Sequence, residues 1–157
     1  MKRALLLAVA LCGCGNSFAP SSFVSGLRVL AVKADPPEVA PGQDTSLTVL
    51  AVDTAGATIQ VTWVACTEPV LPSGGPVNPE CITSGTAPFL TPLGDGLAIT
   101  ATTPAVDPAV FGPSDASGGL YLPVILHARS AGSAVDGAYQ LRARGGIIDR
   151  NEVHLGQ

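Results

Sequence analysis

Between residues 58 and 65 the chain reads as a strand. Ile59, Val61, Trp63 and Ala65 fall on one side of an extended backbone, and Gln60, Thr62 and Val64 on the other. A period of two means one buried face. Trp63, the sole tryptophan, has apolar companions on its side, so it is expected as a core anchor rather than a ligand platform. The same period recurs at 46–52, with Leu47, Val49 and Ala51 opposed to Thr48, Leu50 and Val52. It recurs again at 120–128, where Leu120, Leu122, Val124, Leu126 and Ala128 oppose Tyr121, Pro123, Ile125 and His127. A shorter run at 138–143 places Tyr139 and Leu141 inward and Arg142 outward. Two further β-prone runs occupy 27–34 and 97–102.

Turn signals separate these runs: Pro36-Pro37, Pro41-Gly42, 53–56, Gly94-Asp95-Gly96, 132–137 and Gly145-Gly146. Two adjacent prolines cannot sit in a central strand, so the 27–34 run is expected at a sheet edge or bending between sheets. Pro123 by the same reasoning places 120–128 near an edge or at a bulge. Residues 66–92 and 104–119 read as long irregular segments, and 146–157 as a tail with little pattern. No run of helical period follows residue 15. Six or seven short strands with turns between them predict an all-β sandwich of about seven strands.

The amino terminus departs from this pattern. Lys2 and Arg3 precede an unbroken apolar stretch, Ala4 to Leu11, which ends in Leu11-Cys12-Gly13-Cys14. A bilayer span needs about twenty apolar residues, far more than are present. A charged head and short apolar centre are the pattern of an export signal. A core helix would need a polar face, which the stretch lacks. Its end resembles the lipobox of bacterial lipoproteins: Leu11 at −3, Gly13 at −1, then Cys14, with Cys12 at −2 a small-residue departure. A Cys-x-Cys metal site has no nearby partners, because His127 and His154 are remote in sequence. The resemblance implies cleavage before Cys14, a diacylglycerol thioether on its sulfur, and an anchor in the membrane. Gly15 rather than Asp follows, which in that family favours the outer membrane. The expected organisation is therefore 1–13 signal peptide, 14–25 lipidated flexible tether, 26–145 sandwich and 146–157 loose tail.

Export changes the reading of the remaining cysteines. Cys66 and Cys81 are the two left in the mature body, and an even number in an exported chain predicts a disulfide. A redox role would show Cys-x-x-Cys, which is absent.

The chain has 157 residues, 46% of them hydrophobic and 13% charged, with net charge −4. Loss of Lys2 and Arg3 takes the body to −6. With no basic patch to neutralise phosphates, nucleic acid is excluded as a partner. No G-x-S-x-G, HExxH or phosphate-cradling loop occurs. His127 is expected as a solvated surface residue. Asp95, Asp107 and Asp115 could offer oxygens to calcium, but isolated Asp beside Gly or Pro usually makes turns. No catalytic residue, metal site or cofactor is predicted.

The run LRVLAVKADPPEVAPGQDTSLTVLAVDTAGATIQVTWVAC, residues 27–66, resembles bacterial extracellular immunoglobulin-like domains. It holds a first strand, a Pro-Pro bend, a Pro-Gly turn, a second strand, an Asp-containing turn and a third strand with a core Trp. The resemblance implies an immunoglobulin-like sandwich with no fixed activity. It also implies a non-enzymatic, outer-membrane-anchored interaction or structural module. Its partners would be the bilayer, through acylated Cys14, and an envelope protein or glycan. The alternative is a module binding a glycan or calcium through 66–92 and 104–119. Two features depart from the family: the expected disulfide ties the third strand to a loop, and relatives often continue past the last strand.

Overall fold

The computed structural model describes residues 24–69, 77–83, 86–105 and 120–144. The alternating runs segregate into two sheets. β1 (Leu27–Asp35), β3 (Asp44–Asp53) and β6 (Ala98–Thr102) form the first, in the order β1-β3-β6. β2 (Glu38–Val39), β8 (Ser133–Ala143), β7 (Leu120–Ser130), β4 (Gln60–Cys66) and β5 (Leu90–Asp95) form the second, in that order. All pairs are antiparallel except β2 with β8. Among the described residues the only helix is the single turn α1 (Glu80–Thr83).

One apolar cluster draws on both sheets. Leu27, Leu47, Val49 and Ala101 come from the three-stranded side, and Val61, Trp63, Leu122, Val124, Leu126 and Leu141 from the other. These are the inward sets that the period of two selects, so the described residues form an all-β sandwich of eight strands in immunoglobulin-like order.

The Pro-Pro bend does both things expected of it. β1 is an edge strand, paired with β3 as far as Asp35↔Ser46. After Pro36-Pro37, whose preceding Asp35–Pro36 peptide is cis, β2 crosses to the other sheet and pairs Glu38↔Arg142 and Val39↔Ala143. Thr45, almost fully buried, fastens the bend by donating its hydroxyl to Pro36 O at 3.0 Å.

Three expectations are corrected. Residues 90–95 form a strand inside a stretch read as irregular and turn. β5 tolerates Pro92 because it is an edge strand with a bulge: Trp63 faces Gly94 but Val64 faces Pro92, leaving Leu93 as the extra residue. The supposed turn at 132–137 is mostly β8. The hairpin turns on Ala131-Gly132 alone, with Gly132 at φ 78°. Finally, Pro123 lies in an interior strand rather than an edge. Its ring is accommodated because the β4 ladder ends at Ala65↔Val124, one pair short of Pro123, which faces Gln140 of β8.

Candidate functional site

The outward sides of the five-stranded sheet carry the polar chemistry. Register places Asp95, Thr62, His127 and Asp136 in one row across β5, β4, β7 and β8. The Thr62 hydroxyl donates to Asp95 Oδ1 at 2.7 Å. His127 Nδ1 lies 2.9 Å from Asp136 Oδ1. An ionised carboxylate can only accept, so Nδ1 carries the proton in this contact and Nε2 is the nitrogen left for other partners. Arg129 Nη1 donates to the same Asp136 oxygen at 3.1 Å and to Ala128 O at 3.1 Å. The His127 hydrogen bond holds the Asp136 carboxyl below the usual carboxylate range, against the opposing effect of its partial burial, and Arg129 adds to the lowering. Beside the row, an open depression of about 450 Å³ is lined by Ile59, Gln60, Val61, Thr62, Asp95 and Gly96.

The other half of this face is covered. Cys66, the last residue of β4, is bonded to Cys81 in α1, with Cα atoms 5.8 Å apart. The bridge brings Val77 over Ile125, and these four buried residues form a second small cluster flanked by Phe89 and Leu90. Ile125, expected on the outward side of its strand, is outward and yet fully buried because this segment lies on it. Asn78, itself buried, holds the segment's local shape. Its side-chain amide donates to Pro69 O at 3.0 Å, and its Oδ1 accepts from the Glu80 N–H at the start of α1, also at 3.0 Å. Thr67 bonds Phe89 O through both its N–H and its hydroxyl.

The predicted residues fare unequally. Cys66 and Cys81 meet as expected. Cys14, Asp107 and Asp115 lie outside the described residues, as do the stretches expected as signal peptide, 1–13, and tail, 146–157. Asp95 is drawn into the polar row through Thr62. His127 is not simply solvated: its side chain is 25% exposed and paired with an acid. Sequence reading missed Asp136, Thr62 and Arg129. The signal that could have found Asp136 is the hairpin register, because a turn at 131–132 sets residue 127 opposite 136.

Chemically, the row is a hydrogen-bonding surface. An imidazole oriented by a carboxylate can serve as a base, but the neighbouring hydroxyl, Thr62, is committed to Asp95. Among the described residues no group of three or more His, Cys, Asp or Glu is placed to hold a metal ion, and no helix is long and apolar enough to cross a membrane.

The pairing has a testable pH signature. A carboxylate lowered in the folded state stabilises above its unfolded value, and that contribution fades as pH falls through the folded value. Asp136 is 39% exposed, so solvent screening limits the effect. Asp136→Asn is expected to lose no more than about 1 kcal/mol at neutral pH. The gap from the parent protein should close as pH drops below about 4, where carboxylates protonate. Urea titrations across pH measure both. A gap unchanged at low pH would show that the carboxylate's charge is not what matters.

The chain matches no protein-family model, and no curated protein is similar to it in sequence.

Proposed function

We propose that this protein is a non-enzymatic lipoprotein of the bacterial outer membrane, an immunoglobulin-like sandwich held to the bilayer through acylated Cys14. The observation that carries the reading is the Lys2-Arg3 head, the short apolar stretch and the Leu11-Cys12-Gly13-Cys14 end in series. Cys66 and Cys81 support it. Their sulfurs are joined and both residues are essentially inaccessible, an arrangement suited to an oxidising compartment outside the cytosol. The domain then serves as an interaction or structural module of the envelope. The polar row on the five-stranded sheet offers a partner protein both charge and hydrogen-bond donors and acceptors.

Cys14→Ala tests the anchor. The variant is expected to leave the membrane fraction and to take up no labelled palmitate. A variant that stays membrane-bound and labelled refutes the assignment.

A second reading, recognition of a glycan, draws on the open depression beside Thr62, Gln60 and Asp95, whose side chains suit sugar hydroxyls. Thermal-shift measurements with cell-wall sugars, and with Ca²⁺ in parallel, separate the readings. A stabilisation by sugar that Thr62→Ala abolishes favours the second.

A further inference from the structure

The two outer faces of the sandwich differ in kind. The five-stranded face carries the Asp95–Thr62–His127–Asp136 row. The three-stranded face exposes two leucines, Leu30 at 49% and Leu50 at 56%. The β1 bulge is responsible for part of this. Val29 pairs with Ala51 and Ala31 with Leu50, so Leu30 is the extra residue, and both Leu30 and Ala31 turn outward. Leu50 stands on the adjoining strand. Leu97, 46% exposed, is not part of this patch: its carbonyl accepts from the Val49 N–H at 2.9 Å, which sets it opposite inward-facing Val49. Leu30 and Leu50 therefore sit on neighbouring strands.

Their position along the strands matters as much. β1 begins at Leu27, paired with Asp53, and Leu50 lies only three residues before Asp53. The leucines thus occupy the half of the face nearest the point where the chain enters from Cys14. Farther along, the same face becomes polar, with Lys33 paired to Asp35, then Ser46, Thr100, Asp44 and Thr102. Exposed Arg28 lies at the leucine end.

From this asymmetry we infer that the leucine half of the three-stranded face rests on the bilayer that holds Cys14, a docking that rests on the anchor proposed above. Cys14 and Leu27 are thirteen positions apart. A chain of that length reaches no farther than about 45 Å even when fully extended. The domain cannot leave the surface by more than roughly its own size. Two half-exposed leucines fall well short of the roughly 800 Å² per partner that a stable protein interface needs. They would not hold a free partner, but a surface already tied to the domain is present at high effective concentration, and a small apolar contact then suffices. Arg28 can meet headgroup phosphates at the rim. In this pose the polar row faces away from the membrane, open to partners.

The test couples the mature chain, with a free thiol at Cys14, to maleimide-bearing phosphatidylcholine vesicles whose acyl chains are brominated or unbrominated. Tryptophan is introduced in turn at Leu50 and at Ala134, an exposed position of β8 at the same end but on the opposite face. Buried Trp63 supplies a constant background. Leu50→Trp is expected to lose emission on brominated vesicles and Ala134→Trp to keep it. Adding Leu30→Ser to Leu50→Trp should restore much of the emission without changing the melting temperature materially. An unquenched Leu50→Trp, or equal quenching at both positions, overturns the inference, and the leucines then belong to another occupant, such as a second copy. Because the attachment is chemical, failure of Cys14 to acquire lipid in cells reads out separately, in the palmitate experiment.

Discussion

Trp63→Ala is expected to lower the unfolding free energy by about 3–5 kcal/mol, the usual loss for an aromatic side chain removed from a packed interior. The site has little room to relax. Trp63 is fully buried between the sheets, opposite Leu126 on one neighbour and Gly94 on the other. Its indole Nε1–H donates to Gly96 O at 2.8 Å, and the Gly96 N–H donates in turn to Val61 O at 2.8 Å. One side chain thus fills the core and pins the crossover from β5 to β6, where the chain passes between sheets. Against a domain stability of about 5–15 kcal/mol, that loss brings the variant close to unfolding. Trp63→Phe keeps most of the apolar volume but strips the Gly96 carbonyl of its donor, and should cost less, about 1–2 kcal/mol. Urea unfolding followed by far-ultraviolet circular dichroism is the right measurement, since the substitutions remove the only indole. An alanine variant within about 1 kcal/mol of the parent would mean that Trp63 is not the core anchor described, given typical core losses.

The same residue shows what could be read without coordinates. From 59 to 65 the sidedness of Ile59, Val61, Trp63 and Ala65 is a local property, imposed by the pleat, and it transfers directly to the fold. So does the Pro36-Pro37 bend, because a missing N–H and a fixed φ exclude a central strand whatever surrounds them. What failed was context. Pro92 and Gly94 look like turn residues, yet an edge strand with a bulge needs few ladder bonds and accepts them. Gly137 looks like a break in β8, but its place is steric: a Cβ there would stand 3.2 Å from Leu126 Cδ1, tighter than ordinary contact. Pro123 depended on where the ladder of a different strand ends. β2, two residues long and parallel, carries no periodicity to read. The polar row depended on register between four strands, which follows only once the Ala131-Gly132 turn is located.

The two outer faces also explain how a chain with 13% charged residues can still present a polar surface. Asp95, His127, Arg129 and Asp136 gather on the five-stranded face, while the other face carries Arg28 beside the leucines and Lys33, Asp35 and Asp44 farther along. The disulfide-closed segment lies on the five-stranded face as well, over Ile125. The row and the bridge are therefore neighbours on one sheet: Val64 separates Thr62 from Cys66 on the outward side of β4. A change in the bridged segment should be felt first at that row.

Removing the bridge with Cys66→Ala and Cys81→Ala together should lower stability by about 3 kcal/mol, the chain-entropy value for a loop of this length, the cysteines being 15 residues apart. The double variant is preferable to either single one, which would leave a reactive thiol. How the loss appears follows from the two clusters. Neither cysteine belongs to the main core of Trp63, Leu47 and Leu126; both belong to the satellite with Val77 and Ile125. The segment can therefore open while the sandwich persists, as less stable regions do. Limited proteolysis of the double variant should cut first within 67–89, under conditions where the parent resists. Opening would uncover Ile125, and an apolar-surface dye should report it. Reduction of the parent protein should be slow without denaturant, because Cys66 and Cys81 are 0% and 1% exposed. If the double variant instead unfolds in one step, with no early cleavage in that segment, the satellite cluster is part of the same cooperative unit as the core. The two-level description would then be wrong even if the total loss matched.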